Sequence, residues 1–341
     1  YAALSAYLTS TRNLFPLCDE YFCHYMDANL RAGTYMTDLI NKALDVIQPD
    51  RVESFNNRFV FARPVFDTCK YRKIDILVLE DCANRAGKNK RNNFLNETAH
   101  NIAANIEHMN HFWESDYMPM EEKMKIGESF FYNRRNAIPA GDKVYVKDQQ
   151  MGLLPDNWDT TKHNIVIFNS SEDEMASLGE EFERRLYTSQ YHGIADIFRK
   201  NKDAKDYHFY LRVHPNLKDI PFAYHTKLYE LDQISDNVTV IPGDSPVSTY
   251  ALMEAAEKII VFGSSTGLEA AYFGKPVILL SNCQYAPLDI CYMPKDKIEL
   301  QQMIYADLTP KDKLPAIKLA YYRFFEELPD FEYFPYKLQW H

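Results

Sequence analysis

One stretch of the sequence combines a strand, a turn, a helix and a second strand. Residues 258–262, a lysine followed by four apolar residues, predict a buried strand, and residues 263–267 form a turn rich in glycine and hydroxyl groups. A short helix over 268–273 and an apolar strand over 276–280 follow. Strands that alternate with helices are typical of a parallel α/β sheet. Because the start of a helix offers unused N–H groups to anions, the stretch also predicts a phosphate-binding edge.

The turn supplies candidate nucleotide-binding residues. They are Ser264, Ser265, Thr266, Gly267 and Glu269. Glu269 lies one turn into the helix, where its carboxylate could accept hydrogen bonds from ribose hydroxyls. The glycines form neither G-x-G-x-x-G nor a P-loop, which disfavours a dinucleotide-binding or NTP-hydrolysing protein. The alternative is ordinary helix capping, with Gly267 as a turn residue.

A histidine follows another apolar strand upstream of this turn. His214 precedes a proline at the end of the strand predicted over 207–213, and Arg212 and Asn216 lie beside it. Ligands of open α/β sheets bind at the carboxyl ends of the strands. We therefore expect His214, Arg212 and Asn216 to contact phosphate oxygens or the departing nucleotide. The alternative is a histidine that only caps the strand end.

An acidic segment follows the strand predicted over 164–168. It contains Ser171, Glu172, Asp173 and Glu174 and predicts the start of a helix that runs to about residue 186. Serine and acidic residues at this position are ordinary helix caps. Acids at the carboxyl end of a strand are equally well placed to act as acid, base or nucleophile.

A second acid ends a strand in the other half of the chain. Glu80 follows the strand predicted over 74–79. By itself it could be a solvated loop residue. In a fold with two sheets facing one cleft, Glu80 and Asp173 could approach one sugar from two sides. Glycosyl transfer with retention of configuration uses such a pair of acidic groups.

Length and composition indicate a globular protein of two domains. The chain has 341 residues, of which 46% are apolar and 25% charged. The net charge of −10 argues against nucleic-acid binding, which needs a basic face. No apolar run reaches the roughly 18 residues that span a bilayer. A connector over 138–163, rich in turn-forming residues, predicts domains over 1–160 and 161–341.

Cysteine and histidine spacing does not predict a metal site. The six cysteines form no C-x-x-C pair and indicate reduced thiols of a cytoplasmic protein. His108 and His111 lie three residues apart beside Glu107, a pattern that we interpret as a solvated helix face. We therefore expect neither a metal nor another cofactor.

Several short motifs occur in an order that resembles a known family. The motifs are residues 55–58, Glu80, His100, and residues 130–135, 150–155, 168–174, 212–216, 264–270 and 274–276. Over about residues 50–285 the chain resembles the retaining β-Kdo glycosyltransferases of bacterial capsule and O-antigen synthesis, the WbbB and KpsC group. Asn57 departs from the pattern, because relatives tend to have glycine at that position.

The resemblance implies a fold and a reaction. The fold is α/β and GT-B-like, with two Rossmann-like domains facing a central cleft and the C-terminal helices packing back toward the first domain. The donor is CMP-β-Kdo, and transfer proceeds without metal by double displacement through a covalent glycosyl-enzyme. Asp173 is implied as nucleophile, with Glu172 and Glu174 as neighbouring candidates, and Glu80 as its acid/base partner.

The resemblance also implies the binding residues and partners. His214 would bind phosphate, and Ser264, Ser265 and Thr266 would contact CMP. Arg58 and His100 are further candidates. The acceptor is a glycan, and a partner glycosyltransferase domain or a membrane-associating segment would lie in a longer parent chain, since this one begins with Tyr1. The expected location is the cytoplasm, with peripheral association at the inner membrane only through such a segment.

Three alternatives remain open at the level of the sequence. The first is a transferase of similar fold that uses another CMP-, CDP- or UDP-linked donor. The second is a nucleotide-sugar 2-epimerase, which shares the fold and a similar Ser-Gly-x-Glu region. The third is a non-catalytic domain that binds nucleotide or glycan; two well-placed acids, Glu80 and Asp173, disfavour it, because a binding module needs neither.

Overall fold

The structure is a computed structural model that describes residues 1–81, 92–95, 97–98, 100–116, 118–138, 145–176, 178, 180–182 and 186–324. In chain order, the elements of the first part are α1 (Ala2–Thr11), α2 (Glu20–Ile47), β1 (Arg51–Phe55), α3 (Arg63–Arg72), β2 (Asp75–Asp81), β3 (Asn92–Leu95), α4 (Ile102–Glu114) and α5 (Met120–Arg135). Those of the second part are β4 (His163–Phe168), α6 (Glu172–Met175), α7 (Gln190–Lys200), β5 (Tyr207–Arg212), α8 (Ala223–Glu230), β6 (Val238–Ile241), α9 (Thr249–Ala255), β7 (Lys258–Val261), α10 (Ser265–Tyr272), β8 (Val277–Leu279), α11 (Lys297–Tyr305) and α12 (Leu314–Phe324).

The first sheet is small. Its order is β1-β2-β3, with β1 parallel and β3 antiparallel to β2. The strand β1 was not predicted, because its residues are exposed or only half-buried and give no apolar alternation in the sequence. Its pairing with β2 defines it as a strand. Glu80 is the penultimate residue of β2, opposite Asn93, and does not follow the strand as predicted. The core of this sheet is formed by Leu44, Phe66, Cys69, Ile76 and Val78.

The second sheet is larger and fully parallel. Its order is β6-β5-β4-β7-β8, so the chain runs outward from β4 in one direction and then returns to continue in the other. This is the Rossmann order, and its reversal leaves a crevice at the carboxyl ends of β4 and β7. The strands are almost continuously buried, as expected for a sheet with helices on both faces.

Two layers of helices cover this sheet. One layer, α7, α8 and α11, packs on one face with β4, β5 and β7 side chains. The other includes α9 and α10 together with α4, α5 and α12. The core therefore places α4 and α5, which lie within the predicted first domain, against the second sheet and α12. The division at residue 160 stays a prediction, whereas the predicted α/β class with parallel sheets is confirmed.

Two helices differ from the sequence-based expectation. The helix α2 starts at Glu20 rather than near residue 34, because the Asp19 carboxylate caps it by accepting a hydrogen bond from Phe22 N at 2.8 Å. Where the sequence predicted one helix from the acidic segment to residue 186, the described residues form α6, which ends at Met175 because the backbone becomes extended at Ala176, and a 3-10 turn at Glu180–Phe182. Within the described ranges, no helix is both long and apolar enough to cross a bilayer.

Candidate active site

The loops that follow β4 and β7 are tied together at the crevice. Ser170 Oγ donates to Phe262 O at 3.0 Å, which joins the two loops directly. The Gln190 side chain accepts from Ser170 N at 2.9 Å and donates to Ser170 Oγ at 2.7 Å. Since all of these groups are buried, the hydrogen bonds fix the start of the acidic segment relative to the start of the Ser264 turn.

Asp173 is buried and bound by an arginine from the far end of the chain. Arg12 Nε donates to Asp173 Oδ2 at 2.7 Å and Arg12 Nη2 to Asp173 Oδ1 at 3.3 Å. Ser171 Oγ donates to Asp173 Oδ1 at 3.2 Å. A buried carboxylate requires such partners, because its desolvation is otherwise too costly. Asp173 is therefore charged and held at the carboxyl edge of the sheet.

The two neighbouring acids have different surroundings. Glu172 is buried, and its Oε2 accepts from Gln190 N at the start of α7. Glu172 thus meets the N-terminus of α7, a different helix from the one that the sequence expected the acidic segment to cap, and Ser171 makes no side-chain cap on α6. The Glu174 side chain lies outside the part that the structure describes. Asp173 contacts a cation that reaches it from the first part of the chain.

Arg12 was not identified from the sequence. It caps the C-terminus of α1 in the left-handed conformation, with φ 57°, and its carbonyl accepts from the Tyr224 hydroxyl at 2.8 Å. Its Nη groups also donate to Asn216 O at 2.9 Å and to Ser171 Oγ at 2.8 Å. The only local signal was a cation at a helix C-terminus, which has no specificity for a site.

His214 lies next to this network and is neutral. Its Nδ1 accepts from Asn216 N at 3.1 Å, so in the neutral ring the proton is assigned to Nε2. Its backbone N–H donates to Asn169 Oδ1 at 2.8 Å, and the Tyr145 ring packs edge-on at 5.0 Å. The capping role left open by the sequence is thus present, and Nε2–H remains the donor that could serve a ligand.

Several charges act on His214. Burial lowers the pKa of His214 to about 4, together with the positive charges of Arg12, Arg134 and Arg212, whereas the charge of Asp173 opposes them. Charged groups of the acidic segment, of α5 and of the end of α1 therefore act on this imidazole.

Arg212 contributes to structure in a way that the sequence did not suggest. Its side chain is buried and donates to the carbonyls of Pro242 and Ser245, the latter at 3.1 Å. Burial lowers the pKa of Arg212 to about 10. Both of its Nη groups are thus engaged by the loop after β6, and nucleotide binding by Arg212 stays a prediction.

The Ser264 turn caps α10. The helix starts at Ser265, three residues before the predicted start, and Ser264 Oγ accepts from Thr266 N at 3.3 Å. Ser264 and Gly267 are buried, and Gly267 packs against the Tyr285 hydroxyl with no room for a Cβ. Ser265 is exposed and Thr266 half-buried, so these two offer the accessible hydroxyls of the turn.

Glu269 is held between two helices. Arg134 Nε, at the end of α5, donates to Glu269 Oε1 at 3.1 Å, and the Tyr250 hydroxyl of α9 donates to Glu269 Oε2. Arg134 Nη2 also donates to Ser265 Oγ at 3.2 Å. Burial and the Glu269 charge raise the pKa of Tyr250, which therefore stays protonated. Because both Glu269 oxygens have protein partners, contact with a ribose stays a prediction.

Arg134 and Tyr250 were also not identified as site residues. Arg134 lies in the quoted motif 130–135, yet nothing in that motif showed which residue it would meet. It pairs with a residue 135 positions away. Tyr250 lies in a helix that the sequence predicted, but its hydroxyl partner depends on how α9 packs beside α10.

Arg58 and His100 lie on the side of the first sheet. Arg58 donates to Ser5 Oγ at 2.5 Å and to Ala176 O at 3.4 Å, directly after α6. Burial lowers the pKa of His100 to about 4, with smaller contributions from the charges of Arg58 and Arg323. Arg58 therefore reaches the end of α6, and the roles of Arg58 and His100 in the site stay predictions.

The position of Glu80 is described only at the level of the backbone. It lies at the carboxyl end of β2, and its side chain is outside the described part of the chain. Its convergence with Asp173 on one sugar stays a prediction. Within the described residues, no three His, Cys, Asp or Glu side chains are grouped so that they could hold a metal ion.

Comparisons with known proteins give likenesses of fold only. No family model matches the chain, and no curated protein matches its sequence. Among solved structures, the β-Kdo 2,4 transferase of Thermosulfurimonas dismutans KpsC has a TM-score of 0.49 and 14% identity, covering 80% of this chain and 79% of that one. The β-Kdo 2,7 transferase of the same KpsC has a TM-score of 0.46 and 13% identity, with 83% and 79% covered. The UDP-GlcNAc 2-epimerase of Neisseria meningitidis has a TM-score of 0.31 and 15% identity, with 92% and 81% covered.

Proposed function

We propose that the protein is a retaining glycosyltransferase that moves Kdo from CMP-β-Kdo to a glycan acceptor of a bacterial surface polysaccharide. The observation that carries this proposal is a buried, charged Asp173 beside a neutral His214 at the switch point of a Rossmann-ordered sheet. A nucleophilic carboxylate and a phosphate-binding donor are the two groups that such a reaction needs next to each other.

The first chemical step forms a glycosyl-enzyme. An Asp173 carboxylate oxygen attacks the anomeric carbon of Kdo, and the bond from that carbon to the phosphate oxygen of CMP breaks. The electron pair leaves with CMP, whose phosphate is stable as a dianion and needs no proton. His214 Nε2–H and the N–H groups at the start of α10 hold its developing charge, with Arg134 close by.

The second step transfers the sugar. An acceptor hydroxyl attacks the same carbon, its proton passes to the Glu80 carboxylate, and the bond to Asp173 breaks to restore the free carboxylate. Two inversions give net retention. We assign this role to Glu80 because it lies at the carboxyl end of β2. We assign nucleotide contacts to Ser265 and Thr266 because their hydroxyls are the accessible ones of the turn.

Intact-mass spectrometry tests the proposal directly. Wild-type protein incubated with CMP-Kdo and no acceptor is expected to gain the mass of one Kdo residue, and digestion should place the adduct on Asp173. Asp173→Asn should gain nothing. Transfer to an acceptor without any adduct, even in a rapid-quench time course, would overturn double displacement.

Nucleotide selectivity separates the proposal from its alternatives. CMP is expected to raise the melting temperature, because a ligand that binds only the folded state stabilises it by mass action. UDP and ADP should not raise it, because the proposed pocket does not bind them. Equal stabilisation by UDP, together with epimerisation of a UDP-sugar, would support the epimerase alternative. Stabilisation by CMP without any turnover of CMP-Kdo would support a binding domain.

A further inference from the structure

We propose that Arg12 recognises the carboxylate on the anomeric carbon of the donor sugar, and that it exchanges Asp173 for this carboxylate when the donor binds. The inference rests on the proposed function and deepens it. It assigns the protein to donors that are 2-keto acid sugars and explains how the chain would reject aldose donors.

The argument begins with the state of the nucleophile. Arg12 Nε lies 2.7 Å from Asp173 Oδ2, and Arg12 Nη2 lies 3.3 Å from Oδ1. A carboxylate that shares its lone pairs with a guanidinium in this way is a poor nucleophile. Attack on an anomeric carbon by Oδ2 therefore competes with the shorter of these hydrogen bonds.

A ketose that carries a carboxylate supplies the reason for the exchange. The sugar carboxylate is bonded to the carbon that Asp173 attacks, so the two negative groups must approach within a few ångströms. Like charges repel strongly at that distance in a partly desolvated site. A cation that moves onto the sugar carboxylate and stays close to Asp173 reduces the repulsion, and Arg12 already lies against Asp173.

Arg12 is built to change partner. Its carbonyl is fixed by Tyr224, while its Nη groups keep contacts with Asn216 O and Ser171 Oγ that do not depend on Asp173. Its side chain is 27% exposed, whereas that of Asp173 is 4% exposed, so the arginine is the member of the pair that a ligand can approach more easily. Five N–H donors in a planar fork suit a second carboxylate.

The other arginines near His214 are less suited to this role. Arg134 binds Glu269 and Ser265 at the opposite loop, and Arg212 is buried under the loop after β6. Arg12, by contrast, contacts the proposed nucleophile itself. An aldose donor has no carboxylate to draw Arg12 away, and Asp173 would then remain in its ion pair.

The test compares two donors in two proteins. The donors are CMP-Kdo and its analogue with a carboxamide in place of the sugar carboxylate, and the proteins are wild type and Arg12→Gln. Wild type is expected to prefer CMP-Kdo by about 100-fold in kcat/KM, as is typical when one partner of a buried charge pair is removed. In Arg12→Gln this preference should fall to less than about tenfold, because the guanidinium that would bind the sugar carboxylate is absent.

Controls separate recognition from folding. Arg31→Gln makes the same change in an exposed i,i+4 ion pair with Asp27 on α2 and should leave the preference unchanged. Arg12→Lys keeps the charge and should retain an intermediate preference. CMP affinity of each variant, measured by calorimetry, should stay within about threefold of wild type, since CMP lacks the sugar carboxylate.

The outcomes distinguish the two proposals. An unchanged preference for CMP-Kdo in Arg12→Gln, with the wild type active, overturns the role of Arg12 and leaves the transferase intact. Wild type that neither binds CMP nor uses CMP-Kdo overturns the proposed function, and the role of Arg12 with it. If Arg12→Gln fails to fold, Arg12→Lys decides instead. A preference of Arg12→Lys for CMP-Kdo over the carboxamide analogue that equals the wild-type preference would then overturn the inference.

Discussion

The two arginine–carboxylate pairs of the site differ in how firmly they are held. Glu269 and Arg134 lie between α5, α9 and α10, and each oxygen of Glu269 has a partner from a different helix. Asp173 and Arg12 join a four-residue helix to the end of α1. Arg134 is 17% exposed and Arg12 27%. One pair is part of the packed scaffold, whereas the other faces the crevice on a short element.

The comparison shows how firmly each buried carboxylate is held. A carboxylate whose partners come from well-packed helices cannot change them without disturbing the core. Asp173 lies on a four-residue helix, and its arginine partner is the more exposed of the two. The Glu269 pair therefore suits a structural role, whereas the Asp173 pair can change partner more readily, as the proposed nucleophile requires.

The largest expected effect separates the two carboxylates. Asp173→Asn should lower kcat for transfer from CMP-Kdo by about 1,000-fold or more, because the amide cannot form the glycosyl ester. Glu269→Gln should lower it by less than about tenfold, since that side chain takes no part in bond formation. Initial rates with CMP-Kdo and acceptor measure both, and equal losses would remove Asp173 from the role of nucleophile.

The next effect tests how rigidly α5 carries Arg134. A Cβ on Gly127 would lie 2.5 Å from Ile317 O of α12, a contact that real structures avoid. Gly127→Ala should therefore destabilise the fold by about 1–3 kcal/mol. Gly33→Ala on α2 is the matched control, because its Cβ would meet only Val60 Cγ1 at 3.8 Å, and it should be neutral or slightly stabilising.

Urea denaturation of the two glycine variants measures the difference. If Gly127→Ala were as stable as Gly33→Ala, α5 and α12 would not be in close contact, and the firm placement of Arg134 would lose its basis.

Removing one hydroxyl sharpens the comparison at the Glu269 pair. Tyr250→Phe should destabilise the fold by about 1.5–3 kcal/mol, because a buried carboxylate loses a charged hydrogen bond. Tyr292→Phe removes a hydroxyl that donates to the neutral carbonyl of Thr309, an exposed contact, and should cost less than about 1 kcal/mol. Equal changes in the free energy of unfolding would show that Glu269 does not depend on Tyr250.

The last prediction concerns pH. The pKa of His214 is lowered to about 4, so the unfolded chain takes up a proton near its ordinary value of 6.5 while the folded protein does not. Stability should therefore be lost as pH falls from about 6.5 toward 4, by up to about 1.4 kcal/mol per pH unit for this group. His100 and His208, whose pKa values are lowered in the same way, should add to the slope.

The variant His214→Gln isolates its share of that slope. Between pH 6.5 and 4 it should lower the slope of the unfolding free energy against pH by an amount that corresponds to at most one bound proton. Denaturation at several pH values measures this slope. A slope identical to wild type would mean that His214 is charged in the folded protein, contrary to its proposed role as a neutral donor.

Much of the second sheet could be predicted from the sequence. Its strands are short apolar runs bounded by turns, and the pattern placed β6 and α11 at their observed ends. The candidate site residues of this sheet could also be chosen from their positions after the strands, because the carboxyl ends of parallel strands lie at one edge of a sheet. The first sheet was harder, because β1 is half-exposed and takes its identity from pairing with β2.

The sequence by itself determined most strands and helices of the second sheet and the polar residues at the strand ends, because local periodicity and turn chemistry are properties of neighbouring residues. Only the tertiary structure decided that Arg12 meets Asp173 and that Arg134 meets Glu269, across 161 and 135 positions. Such pairs depend on how α1 and α5 dock, and docking is set by the packing of whole helix faces rather than by any short motif.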